Sequence, residues 1–277
     1  MVTLAEAPAS VVSRGKLDWS IMRSQLDHVN ELAMRDLIPL VRTARQMEPW
    51  AGREYLTDAL AALVGTYGSD ASALTAMWWD EIMADGTYVA ETAEMPPIDQ
   101  LRTEVAWGTS IPETSRDDVL SRMARLTQKH VFGAHRNTVQ LNALNTKTGY
   151  ARYAMPNACA FCRILASRGA VYGSQDAALY VGASGMRKHY SDGRDRGYRM
   201  KKGRVRGTQK AGEKYHDHCR CIVAPLTSNV DPNFPDYVDK FAEEYQQAVE
   251  QVNKDNPDAT ASLAMITKAM RAQGNGS

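Results

Sequence analysis

All four cysteines of this 277-residue chain lie in two short clusters, Cys159-Ala160-Phe161-Cys162 and Tyr215-His216-Asp217-His218-Cys219-Arg220-Cys221. No other stretch constrains the fold so strongly, because soft sulfur and imidazole donors gathered at two points predict that two chain segments close around one tetrahedral ion. The first reading is therefore a zinc clasp, with Cys159, Cys162, His216, Cys219 and Cys221 as candidate ligands. Cys159 and Cys162 form a two-residue knuckle whose backbone amides can also reach the thiolates. In an extended second segment His216 and His218 share one face and Cys219 and Cys221 the other, whereas a tight turn brings His216 and Cys219 together. A closed site needs two of those four, so the pattern supports the site more firmly than the ligand set. Two other readings stand beside it: reduced, buried cysteines without metal, and a redox Cys-x-x-Cys pair. The redox pair fits less well, because the cluster is not set in a thioredoxin-like βαβ pattern.

Length predicts about two domains, and 44% hydrophobic with 23% charged residues predicts a soluble globular protein. Met1 to Ser13 lacks a basic and an apolar signal region, and no window approaches the roughly 18 apolar residues of a membrane span. The expectation is a protein made and used on the cytoplasmic side, where the cysteine spacings favour metal or redox chemistry over disulfides. The net charge of +1 hides an asymmetry. Residues 1–150 carry 14 basic and 19 acidic side chains, residues 151–226 carry 15 and 5, and residues 227–277 carry 4 and 8. A basic island between acidic flanks fits nucleic acid or an acidic protein surface.

Hydrophobic periodicity supplies most of the expected elements. Residues 1–16 read as a loose arm. From an N-cap at Asp18 or Ser20, the set Met22, Leu26, Val29, Ala33, Leu37 and Val41 recurs at helical steps. After Pro49 the pattern resumes through Leu56, Leu60 and Leu63, and Leu74, Trp78 and Ile82 continue it past Gly65 and Gly68, which bend or divide the helix. A short helix is expected at Ile98 to Trp107. A long one follows a capping box at Ser115 to Asp118 and runs to Asn145. His130 and His135 lie on or beside its apolar stripe and read as core or surface histidines. Thr148 to Ala154 alternates like a strand, Phe161, Ile164 and Leu165 fit a short helix ended by Gly169, and Val171-Tyr172 and Ile222-Val223 read as strands. Tyr237 to Val252 gives the cleanest helical stripe, which needs a partner elsewhere in the fold or in another subunit, and a last helix follows around Ile266. The fold class is α+β, predominantly α: a helical domain at 17–146, a zinc-clasped α+β domain at 147–226 and a helical extension at 227–277.

Between the clusters, residues 182–214 read as a long loop. Arg187, Lys188, Arg194, Arg196, Arg199, Lys201, Lys202, Arg204 and Arg206 make it the candidate surface for nucleic acid or an acidic protein, and Tyr190 and Tyr198 can stack on bases. No helix-turn-helix, RNA-recognition or Walker signature accompanies it, so sequence-specific readout is not expected. Catalytic signals are thin. Gly182-Ala183-Ser184-Gly185 lacks one spacer of the G-x-S-x-G elbow, and Asp217 between His216 and His218 is the only arrangement resembling a metal-dependent nuclease.

The run Cys159-Ala160-Phe161-Cys162, Leu165-Ala166-Ser167-Arg168-Gly169 and Val171-Tyr172, followed by His216-x-x-Cys219-x-Cys221 and Val223-Ala224-Pro225, resembles the MuF-like minor head proteins of tailed bacteriophages, in particular those of phages infecting actinobacteria. The resemblance covers residues 150–226. It implies a non-enzymatic role in head morphogenesis, with the portal protein and the major capsid or scaffold protein as partners and non-specific contact with packaged double-stranded DNA. It also implies residence in the head interior near the portal, after assembly in the host cytoplasm, and no membrane partner. By the same resemblance Cys159, Cys162, His216, Cys219 and Cys221 match the motif positions, and His218 matches them less closely.

Overall fold

A computed structural model describes residues 9–84, 86–110, 118–167, 220–256 and 261–273. It is predominantly helical with two small sheets, an α+β chain. In chain order the elements are β1 (Val12–Ser13), β2 (Lys16–Leu17), α1 (Trp19–Ala44), α2 (Pro49–Leu63), α3 (Ser69–Met83), α4 (Ile98–Thr109), α5 (Val119–Thr146), β3 (Tyr150–Tyr153), α6 (Ala160–Ala166), β4 (Ile222–Pro225), α7 (Tyr237–Asp255) and α8 (Leu263–Ala272). They form two compact units, one from the described residues of 9–153 and 220–233, the other from those of 154–167 and 234–273.

The first unit is built on α1 and α5. Asp18 caps α1, its Oδ1 accepting from the amides of Ser20 at 3.1 Å and Ile21 at 3.2 Å, and the expected stripe Met22, Leu26, Leu37 and Val41 is buried. Asp118 caps α5 by accepting from the Ser121 amide at 2.6 Å. The cap is thus Asp118 itself rather than Ser115, which lies outside the described residues with the rest of 111–117. Leu37 and Val41 of α1, Leu56 and Leu60 of α2, Leu101 and Val105 of α4, and Met123 and Leu126 of α5 form one apolar core. Between α2 and α3 the chain neither breaks nor turns sharply. Val64–Gly68 forms a single π-helical turn, a widening that absorbs the two glycines while the helical path continues. A Cβ on Gly68 would stand 2.7 Å from the Met95 sulfur, so a larger residue there would make the flexible Met95 side chain shift.

Residues 9–16, expected as part of a loose arm, are instead packed. Arg14 and Gly15, both at positive φ (51° and 74°), make the two-residue turn joining β1 to β2, the turn geometry that suits a tight antiparallel hairpin. Val11 and Leu17 are buried, the Val12 amide donates to Glu81 Oε1 at 2.9 Å, and Leu17 N donates to Asp231 O at 2.9 Å. Within 1–16 the buried Val11 is a single apolar contact that a window over the segment dilutes, and Leu17 lies just beyond it.

β3 and β4 pair antiparallel, with Tyr150 opposite Pro225 and Tyr153 opposite Ile222. Val223 of β4 packs with Trp79 of α3 and Val139 and Ala143 of α5, so this sheet belongs to the helical unit and not to a separate α+β domain at 147–226. The bond that fixes it is made by His135 of α5, which is wholly buried. The Val223 amide donates to His135 Nε2 at 3.0 Å. Nε2 must then be the unprotonated nitrogen, so Nδ1–H donates to Thr75 Oγ1 at 2.8 Å, and the Thr75 hydroxyl donates to Ala71 O at 2.6 Å. One neutral imidazole thereby links β4, α5 and α3. Burial pushes the His135 pKa well below its ordinary value, and the Arg136 and Arg23 charges add to that.

In the second unit Ala160 and Ile164 of α6 pack with Tyr245, Ala248 and Val252 of α7 and Ile266 and Met270 of α8. The partner that the α7 stripe requires is therefore within the chain, and α6 sides with the C-terminal helices. Arg163 of α6 meets Glu244 of α7 in a buried fork, Nη1 to Oε2 at 3.1 Å and Nη2 to Oε1 at 3.3 Å, and its guanidinium lies over the Phe241 ring at 4.9 Å.

Two stability predictions follow from these contacts. Because the folded-state pKa of His135 is depressed, its contribution is complete above about 6.5 and is lost as pH falls below that value. Urea unfolding at pH 6.5 and 5.5 should show wild type losing up to about 1.4 kcal/mol more than His135→Gln over that unit; equal losses would contradict the assignment. In the second unit, Arg163→Met should destabilise by about 3–5 kcal/mol by leaving the Glu244 carboxylate buried alone, and Arg163→Met/Glu244→Leu should recover most of it.

Candidate metal centre

Cys159 occupies the N-cap position of α6 and Cys162 lies in its first turn, with Arg163 N donating to Cys159 O at 3.0 Å. Cys162 is buried and Cys159 half-buried. The Cys-x-x-Cys pair is thus held across one helical turn of the second unit, a spacing that lets two thiolates face one ion. Cys221 directly precedes β4 in the first unit and is buried. His216, His218, Cys219 and the rival base Asp217 lie outside the described residues, as do the strand expected at Val171-Tyr172 and the helix-ending Gly169. Among the described residues no group of three or more His, Cys, Asp or Glu side chains is placed to hold a metal ion. As a donor type, the thiols of the Cys159–Cys162 pair suit a thiophilic ion such as zinc.

The surroundings of Cys221 are strongly basic. Arg23 of α1 donates through Nη1 to Arg220 O, and Arg136 of α5 donates through Nη1 to Cys221 O at 3.4 Å. Both arginines are buried, at 6% and 3% exposure. The guanidiniums of Arg23 and Arg220 lie 5.7 Å and 5.9 Å from the centre of the buried Phe132 ring, and Arg220 Nη2 pairs with Asp27 Oδ1 at 2.5 Å. Periodicity alone passes over Arg23 and Arg136; the available signal is a cation sitting on an otherwise apolar or small-residue helix face.

The other histidine of α5 has a different partner. His130 Nε2 lies 2.6 Å from Glu104 Oε2 of α4, and Lys129 Nζ lies 2.8 Å from Oε1. Burial works to raise the Glu104 carboxyl, but the His130 hydrogen bond and charge, with Lys129 and Gln100, outweigh it and hold the pKa at about 2. This network joins α4 to α5 through side chains 26 residues apart in sequence, and its carboxylate is invisible to a search at ligand spacing along one helix.

The basic segment at 182–214, with Arg187, Lys188, Arg194, Arg196, Arg199, Lys201, Lys202, Arg204 and Arg206, also lies outside the described residues. No helix among the described residues is long and apolar enough to cross a membrane.

A family model described as VG15 protein matches residues 14–248, a span that includes both cysteine clusters, the basic segment, the β3–β4 sheet and most of α7. No curated protein matches the chain, and no solved structure does. Because the match takes in most of the sequence across both units, the chain belongs to the VG15 protein family, a family of phage proteins.

Proposed function

We propose that this chain is a minor head protein of the MuF-like type, a structural component of the virion that acts in head morphogenesis. The observation that carries the reading is the family match over residues 14–248, within which the Cys159 to Pro225 motif run resembles minor head proteins. In this reading the protein associates with the portal and with the major capsid or scaffold protein, and it resides in the head interior. The acidic flanks and the basic segment divide the labour: helices α1 to α5 supply a rigid body for protein partners, and Arg187 to Arg206 meet packaged DNA or an acidic portal surface.

Zinc completes the reading. In this reading Cys159 and Cys162 would hold the ion with two donors of the second cluster, drawn from His216, Cys219 and Cys221, with His218 as a spare. Bound there, zinc supplies structure, on the order of 10 kcal/mol of folding free energy, and fixes where the basic segment leaves and re-enters the fold. The role assigned is structural, with no catalytic residue.

Quantitative mass spectrometry of purified phage heads should find the protein at fixed stoichiometry, and its absence from mature and assembling heads alike would overturn the proposal. The purified chain should carry about one zinc and leave plasmid DNA intact with added Mg²⁺, Mn²⁺ or Zn²⁺; cutting that His218→Ala abolishes would establish the nuclease reading instead. If six to ten of the basic side chains meet phosphates, DNA affinity should fall by roughly 10³ to 10⁵ between 50 and 200 mM salt. Replacing Arg194, Arg196, Arg199, Arg204 and Arg206 by Gln should flatten that slope, and an unchanged slope would assign the segment to a protein partner.

A further inference from the structure

His135 is held in a way that suits the neutral ring alone. Its Nε2 accepts from the Val223 amide of β4 at 3.0 Å, its Nδ1–H donates to Thr75 Oγ1 of α3 at 2.8 Å, and the Trp78 ring stands edge-on beside it, 5.8 Å between centres. A second proton could go only on Nε2, where it would point at the hydrogen of an amide that is itself a donor. The ring is wholly enclosed, so water cannot take the amide's place while the elements stay packed. The charged groups acting on the imidazole, Arg136 of its own helix and Arg23 of α1, are both cations and oppose a further positive charge. On β3 the residue opposite Val223 is Arg152, another buried cation.

Of the elements that meet at this ring, the sheet is the one able to leave. α3 and α5 are helices of 15 and 28 residues, whereas β3 and β4 have four residues each, and a lone two-stranded sheet has little stability of its own. Small units of this kind open while the rest of a fold stays closed. We propose that His135 is an acid-operated catch for the β3–β4 sheet: protonation of Nε2 expels the Val223 amide, and the sheet lifts from α3 and α5 while the helices stay folded. Opening lets water reach Nε2, which then takes the proton that the closed form refuses. The lifted sheet uncovers Trp79, Val139 and Ala143, the apolar residues against which Val223 packs. With an ordinary histidine pKa of about 6.5 in the open form, the opening constant rises about tenfold between pH 7.5 and 5.5.

The test is amide hydrogen exchange on the full chain at pH 7.5 and 5.5, read by mass spectrometry with labelling times scaled for the pH dependence of the chemical exchange rate. Peptides spanning 150–153 and 222–225 should lose about tenfold in protection at pH 5.5, while peptides within α1, α2 and α5 keep theirs. His135→Gln keeps an acceptor for the Val223 amide and cannot titrate, so its sheet peptides should be equally protected at both pH values. His130→Gln, at the other histidine of α5, should retain the tenfold loss. Unchanged protection of the wild-type sheet would overturn the proposal, as would a loss that persists in His135→Gln. An equal loss in the helices would also overturn it, leaving His135 a contributor to global stability and no catch. Should His135→Gln fail to fold, ¹⁵N spectra of the wild-type imidazoles decide the matter. The Nδ1–H tautomer of His135 should disappear in step with sheet protection, and a ring that gains its proton while the sheet stays protected would sink the idea.

Discussion

The hydrogen bond from the Val223 amide to His135 Nε2 is the contact on which the first unit turns. β3 and β4 form a two-stranded sheet of four residues each, too small to be stable by pairing alone. The sheet persists because β4 lies on α3 and α5 and because a buried imidazole takes up the outward amide of Val223. Leaving that amide without an acceptor would cost about 1–3 kcal/mol. The same ring gives its proton to Thr75, so the position of the sheet and the packing of α3 against α5 are set by one side chain.

A second polar group works similarly. Asn142 is fully buried on α5; its Oδ1 accepts from Glu91 N at 2.8 Å and its Nδ2 donates to Glu91 O at 2.8 Å. The side-chain amide imitates a neighbouring strand and pins the extended segment before α4 along the helix. Together with His135 it satisfies backbone groups of Glu91 and Val223 in two non-helical stretches that lie against the helices. In the second unit the Arg163–Glu244 fork plays the corresponding part, registering the short α6 against α7 where apolar contact alone would leave it free to slide.

Much of this was legible in the sequence. The stripes of α1, α5 and α7 follow from three- and four-residue spacing, and Asp18 and Asp118 announce their helix starts by residue type. Cys159 and Cys162 could be placed at a helix start from the knuckle and the apolar residues behind it. What periodicity could not supply are contacts set by the tertiary fold: the β3–β4 register, the hairpin held by Asp231, Glu104 reaching His130, and the assignment of α6 to the C-terminal helices. Each depends on residues far apart along the chain, and residue type alone does not encode which distant partner is met. The π turn at Val64–Gly68 was half legible, since the glycines mark the place but not the form the helix takes there. The two arginines around Cys221 escaped notice because a cation on a helix is ordinarily read as solvent-facing, whereas here two carbonyl oxygens draw the guanidiniums inward.

The pairing of β3 with β4 across residues 154–221 also has a kinetic and evolutionary side. On a ribosome the helices through α5 emerge well before their last strand, so the helical body waits for residue 225 before its buried imidazole finds its acceptor role. Until then it must survive on helix packing alone. Closing a loop of that size costs only about 0.6 kcal/mol more for each doubling of its length. Added length between α6 and β4 therefore costs little in loop closure, provided α6 keeps its packing and the two strand ends still meet.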